Sequence, residues 1–114
     1  MITLYGIANC DTMKKARRWL ADHHVEYRFH DYRKDGLDDA RLRAWVEELG
    51  WEPLLNRRGL TWRKLPPAVH EGIDQESAIA VMLAQPAIIR RPLLDTGSTR
   101  LIGFSDLSYT ELLG

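Results

Sequence analysis

Two short β-type runs separated by one amphipathic helical stretch open this chain, and they constrain its fold more than any other feature. Ile2-Thr-Leu-Tyr5 is β-branched and aromatic, the composition of a strand. Gly6-Ile-Ala-Asn9 carries turn residues at both ends and reads as a loop. From near Cys10, Met13, Ala16 and Leu20 recur at i, i+3 and i+7, which sets them on one buried helical face. Lys14, Lys15, Arg17 and Arg18 fall mostly on the remaining surface. His23-His24 ends the helix, and Val25 to His30 then alternates apolar with polar, as a half-exposed strand does.

The rest of the chain continues in short pieces. Asp31-Tyr-Arg-Lys-Asp-Gly36 is rich in turn residues. Asp38 or Asp39 can cap a helix whose stripe is Leu42, Trp45, Val46 and Leu49 and which Gly50 stops. Pro53-Leu-Leu-Asn56 reads as a further helical turn. Thr61 to Leu65 must break at Pro66-Pro67. Asp74 or Gln75 opens a helix with Ala78, Val81, Met82 and Ile88 on one side, which Pro86 ends or follows with a new turn. Leu93-Leu94 and Thr99 to Ile102 form a hairpin around Asp95-Thr-Gly-Ser98. Gly103-Phe-Ser105 leads into a last helix, Asp106 to Leu113. The order βαβ, helices, ββα indicates an α/β fold with a mixed sheet and helices packed on it.

Composition narrows the function classes. The 114 residues are expected to form a single domain, and their 45 % hydrophobic content supplies a core. Sixteen basic and sixteen acidic residues balance to zero, ten of each sign in residues 1–57 and six in 58–114. That balance argues against a general nucleic-acid binder, which rests on a net basic face. The longest apolar run, Ala78 to Ala84, is far short of the roughly 20 residues of a membrane span. The amino terminus lacks a signal pattern, so a cytoplasmic location is the expectation; the chain is separately expected to be a monomer.

Cys10 is the only cysteine. An intramolecular disulfide and a multi-thiolate zinc site are both excluded. A lone thiol is either an inert small core residue or a reactive one, and its place at a strand-to-helix junction favours reactivity. The first turn of a helix presents unpaired N–H groups and the positive end of the helix dipole, which stabilise a thiolate. Lys14, four residues on, adds charge on the same side, and Thr12 offers a hydroxyl. Position 13, where a dithiol site places its second cysteine, is methionine, so any disulfide formed in turnover must be resolved by an external thiol. Two arginine pairs, Arg57-Arg58 and Arg90-Arg91, flank turn residues and suit bidentate capture of oxyanions or carboxylates, or else sit as solvated surface charge. His23, His24, His30 and His70 show no metal-ligand spacing and read as surface residues, so no metal site is expected. Trp19, Trp45, Trp51 and Trp62 read as core or rim packing.

Tyr5-Gly-Ile-Ala-Asn-Cys-Asp-Thr-Met-Lys-Lys-Ala16, Leu55-Asn-Arg-Arg-Gly59 with Thr61-Trp-Arg-Lys-Leu65, and Ile89-Arg-Arg-Pro92 before a short hairpin resemble the arsenate-reductase-like (ArsC/Spx) family, nearest to its YffB-like branch. The likeness runs from about residue 2 to 112. It implies a thioredoxin-like fold with an inserted helical segment, here about residues 37–88. By position, Cys10 matches the nucleophile and Lys14 the basic residue four on. The first downstream arginine falls at Arg57 or Arg58, Arg91 matches the arginine before the proline, and Pro92 the proline that is cis in such folds.

Three departures qualify the likeness. The histidine that precedes the family's cysteine is Gly6 here, and the serine three residues after that cysteine is Met13. A third arginine of arsenate reductases falls at about Gly103, which weakens the expectation of arsenate as substrate. The resemblance implies a glutathione-dependent monothiol reductase. Its partners would be glutathione or another small thiol and a disulfide or anionic substrate, with no bound cofactor. The alternative is an Spx-like adaptor that binds RNA polymerase without catalysis.

Overall fold

The computed structural model describes residues 1–114 and resolves them into two compact units, Met1–Asp35 with Arg91–Gly114, and Gly36–Arg90. The first unit holds a four-stranded mixed sheet. Strands β1 (Ile2–Gly6), β2 (Tyr27–Asp31), β3 (Leu93–Asp95) and β4 (Arg100–Ile102) lie in the order β2-β1-β3-β4. β1 and β2 are parallel, with Gly6 opposite Asp31. β3 is antiparallel to β1, with Leu93 opposite Tyr5, and β4 is antiparallel to β3. A thioredoxin-like α/β fold is the result.

Helix α1 (Asp11–Asp22) buries Met13, Ala16, Trp19 and Leu20, the face that the 3.6-residue spacing of the sequence defines. These side chains join Leu4, Leu94 and Tyr109 in the apolar core of the first unit. The end of α1 explains why β2 starts at Tyr27 and not at the expected Val25. His24 takes a left-handed φ of 56°, and its N–H donates to the Ala21 carbonyl. The Val25 N–H donates back to the Leu20 carbonyl at 2.9 Å. This is a Schellman closure, and it keeps Val25 in the helix cap.

After β2, the turn-rich segment forms a one-turn helix, α2 (Tyr32–Asp35). The Asp31 carboxylate accepts from the Arg33 N–H, and the Asp31 N–H donates to Asp35, so side chains lock the turn.

The second unit is helical, with α3 (Asp39–Leu49), α4 (Trp51–Leu54), α5 (Leu60–Arg63), α6 (Pro67–Glu71), α7 (Gln75–Ala84) and a 3₁₀ turn at Pro86–Ile88. Asp38, and not Asp39, caps α3, and Asp74, and not Gln75, caps α7 through a complete capping box with Ser77. Ile79, where Val81 was expected, joins Ala78 and Met82 on the buried face of α7. Helix α8 (Asp106–Leu113) closes the first unit, capped by Ser105.

Candidate functional site

Cys10 is the N-cap of α1, with extended backbone (φ −139°, ψ 130°), and its carbonyl accepts the first helical hydrogen bond from Lys14 at 3.0 Å. The thiol is half-buried, set between the apolar core and solvent. Burial by itself pushes the thiol pKa up. That effect is outweighed by the Met13 and Thr12 backbone N–H groups and then by the Arg91 side chain, which hydrogen-bonds to the sulfur and adds its charge. The net result lies below the ordinary thiol value, which favours the thiolate. The sulfur closes no full cap hydrogen bond at rest. The first-turn donors face it and favour its anion.

Topology brings Arg91 to this place. It lies two residues before Leu93, the partner of Tyr5, so it enters the sheet at the end where β1 hands over to the Cys10 loop. The Arg91–Pro92 peptide bond is cis, and Pro92 is buried. The Pro92 carbonyl accepts from the Gly103 N–H at 2.8 Å. Gly103 is therefore adjacent to the site, but its φ of +82° is one that an L side chain rarely adopts. Any L side chain at position 103 would therefore be strained.

Gly6 and Met13 pack against each other at this end of β1. A Cβ placed on Gly6 would run into the sulfur and terminal methyl of Met13, which is fully buried. The thioether occupies the room that a larger side chain at position 6 would need.

The other candidates divide between the units. Thr12 is half-buried and acts on the sulfur through its N–H. Lys14 is exposed and lines a shallow groove along α1 with Asp11, Lys15 and Arg18. Arg57 and Arg58 belong to the second unit. Arg57 pairs with Glu52 at 3.2 Å and lies 5.1 Å from the Trp51 ring centroid, whereas the exposed Arg58 side chain forms no ion pair. Arg90 is tied to its own unit by a 3.0 Å hydrogen bond from Nε to the Pro53 carbonyl. His30 and His70 are half-buried and not the surface residues expected. His70 stacks on Trp62 at 4.2 Å, and His30 lies 4.9 Å from Tyr5.

Sequence reasoning missed Tyr32. It reads as one residue of a polar turn, yet it is 3 % exposed. The available signal was its position directly after the second strand of a βαβ unit, beside the loop that follows the first.

Comparison with known proteins places these residues in context. Residues 5–112 match the ArsC family. A solved YffB protein is 49% identical, with a TM-score of 0.96 and full coverage of both chains. An arsenate reductase (ArsC) related protein from Brucella melitensis is also 49% identical, covering 96% of this chain and 92% of its own, with a TM-score of 0.81. The global transcriptional regulator Spx of Streptococcus pyogenes is 28% identical over 93% of this chain and 80% of its own.

Proposed function

The chain belongs to the ArsC family, and from that premise we propose that it is a thiol reductase that works through Cys10 alone, with glutathione as the resolving thiol. One observation carries the proposal: a half-exposed cysteine caps α1, and two backbone N–H groups and Arg91 converge on its sulfur. The Cys10 thiolate attacks one sulfur of a disulfide. That S–S bond breaks, and the departing sulfur takes the electron pair and then a proton. A glutathione thiolate next attacks the Cys10 sulfur and expels the second substrate thiol. A second glutathione frees Cys10 as oxidised glutathione leaves. Each disulfide reduced consumes two thiols, and no second cysteine is needed.

Arg91 has two tasks in this reaction, favouring the thiolate and receiving a ligand carboxylate. The further arginine that the family resemblance offers, Arg57 or Arg58, lies in the second unit, where Arg57 is engaged with Glu52 and Trp51 and Arg58 is exposed. Lys14, expected to add charge beside the thiol, is exposed, and Arg91 is the cation that acts on Cys10. Arsenate fits less well. Its oxyanion needs several guanidinium forks, and loss of one charge-assisted contact costs about 1.5–3 kcal/mol, at least tenfold in affinity.

The rate of Cys10 alkylation by iodoacetamide against pH tests the proposal. The expected midpoint lies below the ordinary thiol value of about 8.5, and Arg91→Ala raises it. A wild-type midpoint at or above that ordinary value overturns the proposal.

Similarity to Spx favours a second reading, an adaptor that binds RNA polymerase with no catalytic step. Capture of polymerase subunits by the Cys10→Ser protein, in cells where wild type shows no thiol turnover, would select the adaptor.

A further inference from the structure

The sheet end that carries Cys10 holds a polar group for which the proposed reaction has no use. β1 and β2 finish together, Gly6 opposite Asp31, so Tyr32 leaves the sheet beside the loop that leads to Cys10. Arg91 approaches the same end from the β3 side. Tyr32 and Arg91 therefore flank the exit of β1, in a sheet whose neighbouring strands lie about 4.8 Å apart. Ligands of open α/β sheets bind outside the carboxyl ends of such strands.

Tyr32 is 3 % exposed, its ring lies 6.3 Å from that of Tyr5 at 21°, and its hydroxyl has no hydrogen-bond partner in the protein. A buried hydroxyl without a partner destabilises the fold, and phenylalanine would fill the same space without that cost. Two other buried groups lack partners, Trp19 Nε1 and the Tyr109 hydroxyl, and both residues belong to the apolar core. Tyr32 differs from Tyr109 because the Arg91 charge reaches its phenol as well as the Cys10 sulfur.

We propose that the Tyr32 hydroxyl and the Arg91 guanidinium together receive a carboxylate of the peptide-like disulfide or thiol that meets Cys10. The inference rests on the reading of Cys10 as nucleophile and adds a specificity residue to it. Arg91 supplies the charge, and Tyr32 supplies a neutral, directional donor. Burial, reinforced by the Tyr5 phenol, holds the Tyr32 pKa far above its ordinary value, so the hydroxyl keeps its proton. Arg91 is half-buried and so the more accessible member of the pair; on this proposal its side chain turns from sulfur to ligand and opens the way to the phenol.

The test is the rate at which Cys10 forms a mixed disulfide with oxidised glutathione, compared with the same compound esterified at its carboxylates. Intact-mass spectrometry follows both reactions in wild type and in Tyr32→Phe. In each, the Cys10 thiolate displaces one glutathione thiolate and forms one new S–S bond. Wild type is expected to prefer the free acid. Tyr32→Phe is expected to lose about tenfold of that preference, the effect of one hydrogen bond to a charged group. Its melting temperature should be unchanged or higher, and its Cys10 alkylation midpoint should stay within a few tenths of a unit. An unchanged preference in Tyr32→Phe, or no preference in wild type, overturns the inference while leaving the reductase reading standing. A Cys10 that reacts with neither compound sinks both.

Discussion

Helices α1 and α8 start on nearly the same backbone and use it for opposite ends. Their N-caps, Cys10 and Ser105, are both extended, at φ −139°, ψ 130° and φ −145°, ψ 152°. Ser105 accepts from the Ser108 N–H at 3.0 Å, and Ser108 Oγ accepts in return from the Ser105 N–H at 3.2 Å. That reciprocal pair satisfies donors at the start of α8 and stabilises it. At α1 the third helical residue is Met13, which has no group to reciprocate, and the cap atom is sulfur. The donors left over favour the Cys10 thiolate. One helix end gains stability where the other, on the proposed function, gains reactivity.

Cys10→Ser tests this contrast most strongly. Alkylation at the site and disulfide reduction are expected to vanish. Stability is expected to rise by about 0.5–1 kcal/mol near pH 6, because oxygen is the better neutral cap. The gain should shrink as pH rises. The folded-state pKa of Cys10 lies below its unfolded value, so the thiolate contribution is fully present above about 8.5 and is lost as pH falls through the lowered folded value. Denaturant titrations of both proteins across that window check each sign. A serine variant no more stable than wild type at pH 6 would break the comparison.

Gly6→Ala comes next in size. Its Cβ must displace the buried Met13 thioether on the core side of the site, and the expected loss is about 1–3 kcal/mol by thermal melting. Ser105→Ala should cost about 1 kcal/mol and leave the Cys10 alkylation midpoint where it was. A shift in that midpoint would mean that the two helix ends are not independent.

The arginine pairs repeat the lesson in another chemistry. Arg57-Arg58 and Arg90-Arg91 are the same dipeptide. The boundary between the two compact units falls between Arg90 and Arg91, so one arginine anchors α4 of the second unit while the next serves the Cys10 sulfur of the first. Arg57, exposed and paired with Glu52, is an ordinary surface ion pair, worth about 0–1 kcal/mol. Glu52→Ala is accordingly expected to change stability by less than about 1 kcal/mol in the same melts.

Much of this was legible in the residues. The buried face of α1, the hairpin around Asp95–Ser98 and the capped helices of the second unit all rest on interactions within a few positions of each other, which spacing reveals. The start of β2 was misjudged because the αL residue at the end of α1 is histidine, and glycine is the usual marker of that turn. The exchange of Ile79 for Val81 on the buried face of α7 also escaped. In an apolar helix every position looks buried, and periodicity gives no direction.

The site divides in the same way. A thiol at a strand-to-helix junction is a local fact, and the order of residues alone determined that Cys10 would meet the positive end of α1. Which arginine reaches the sulfur, and that Tyr32 and Arg91 flank the exit of β1, were decided only by strand register. Register pairs Gly6 with Asp31 and Tyr5 with Leu93 across long separations in sequence. No local pattern encodes such pairings, because they form when the whole sheet buries its apolar face at once.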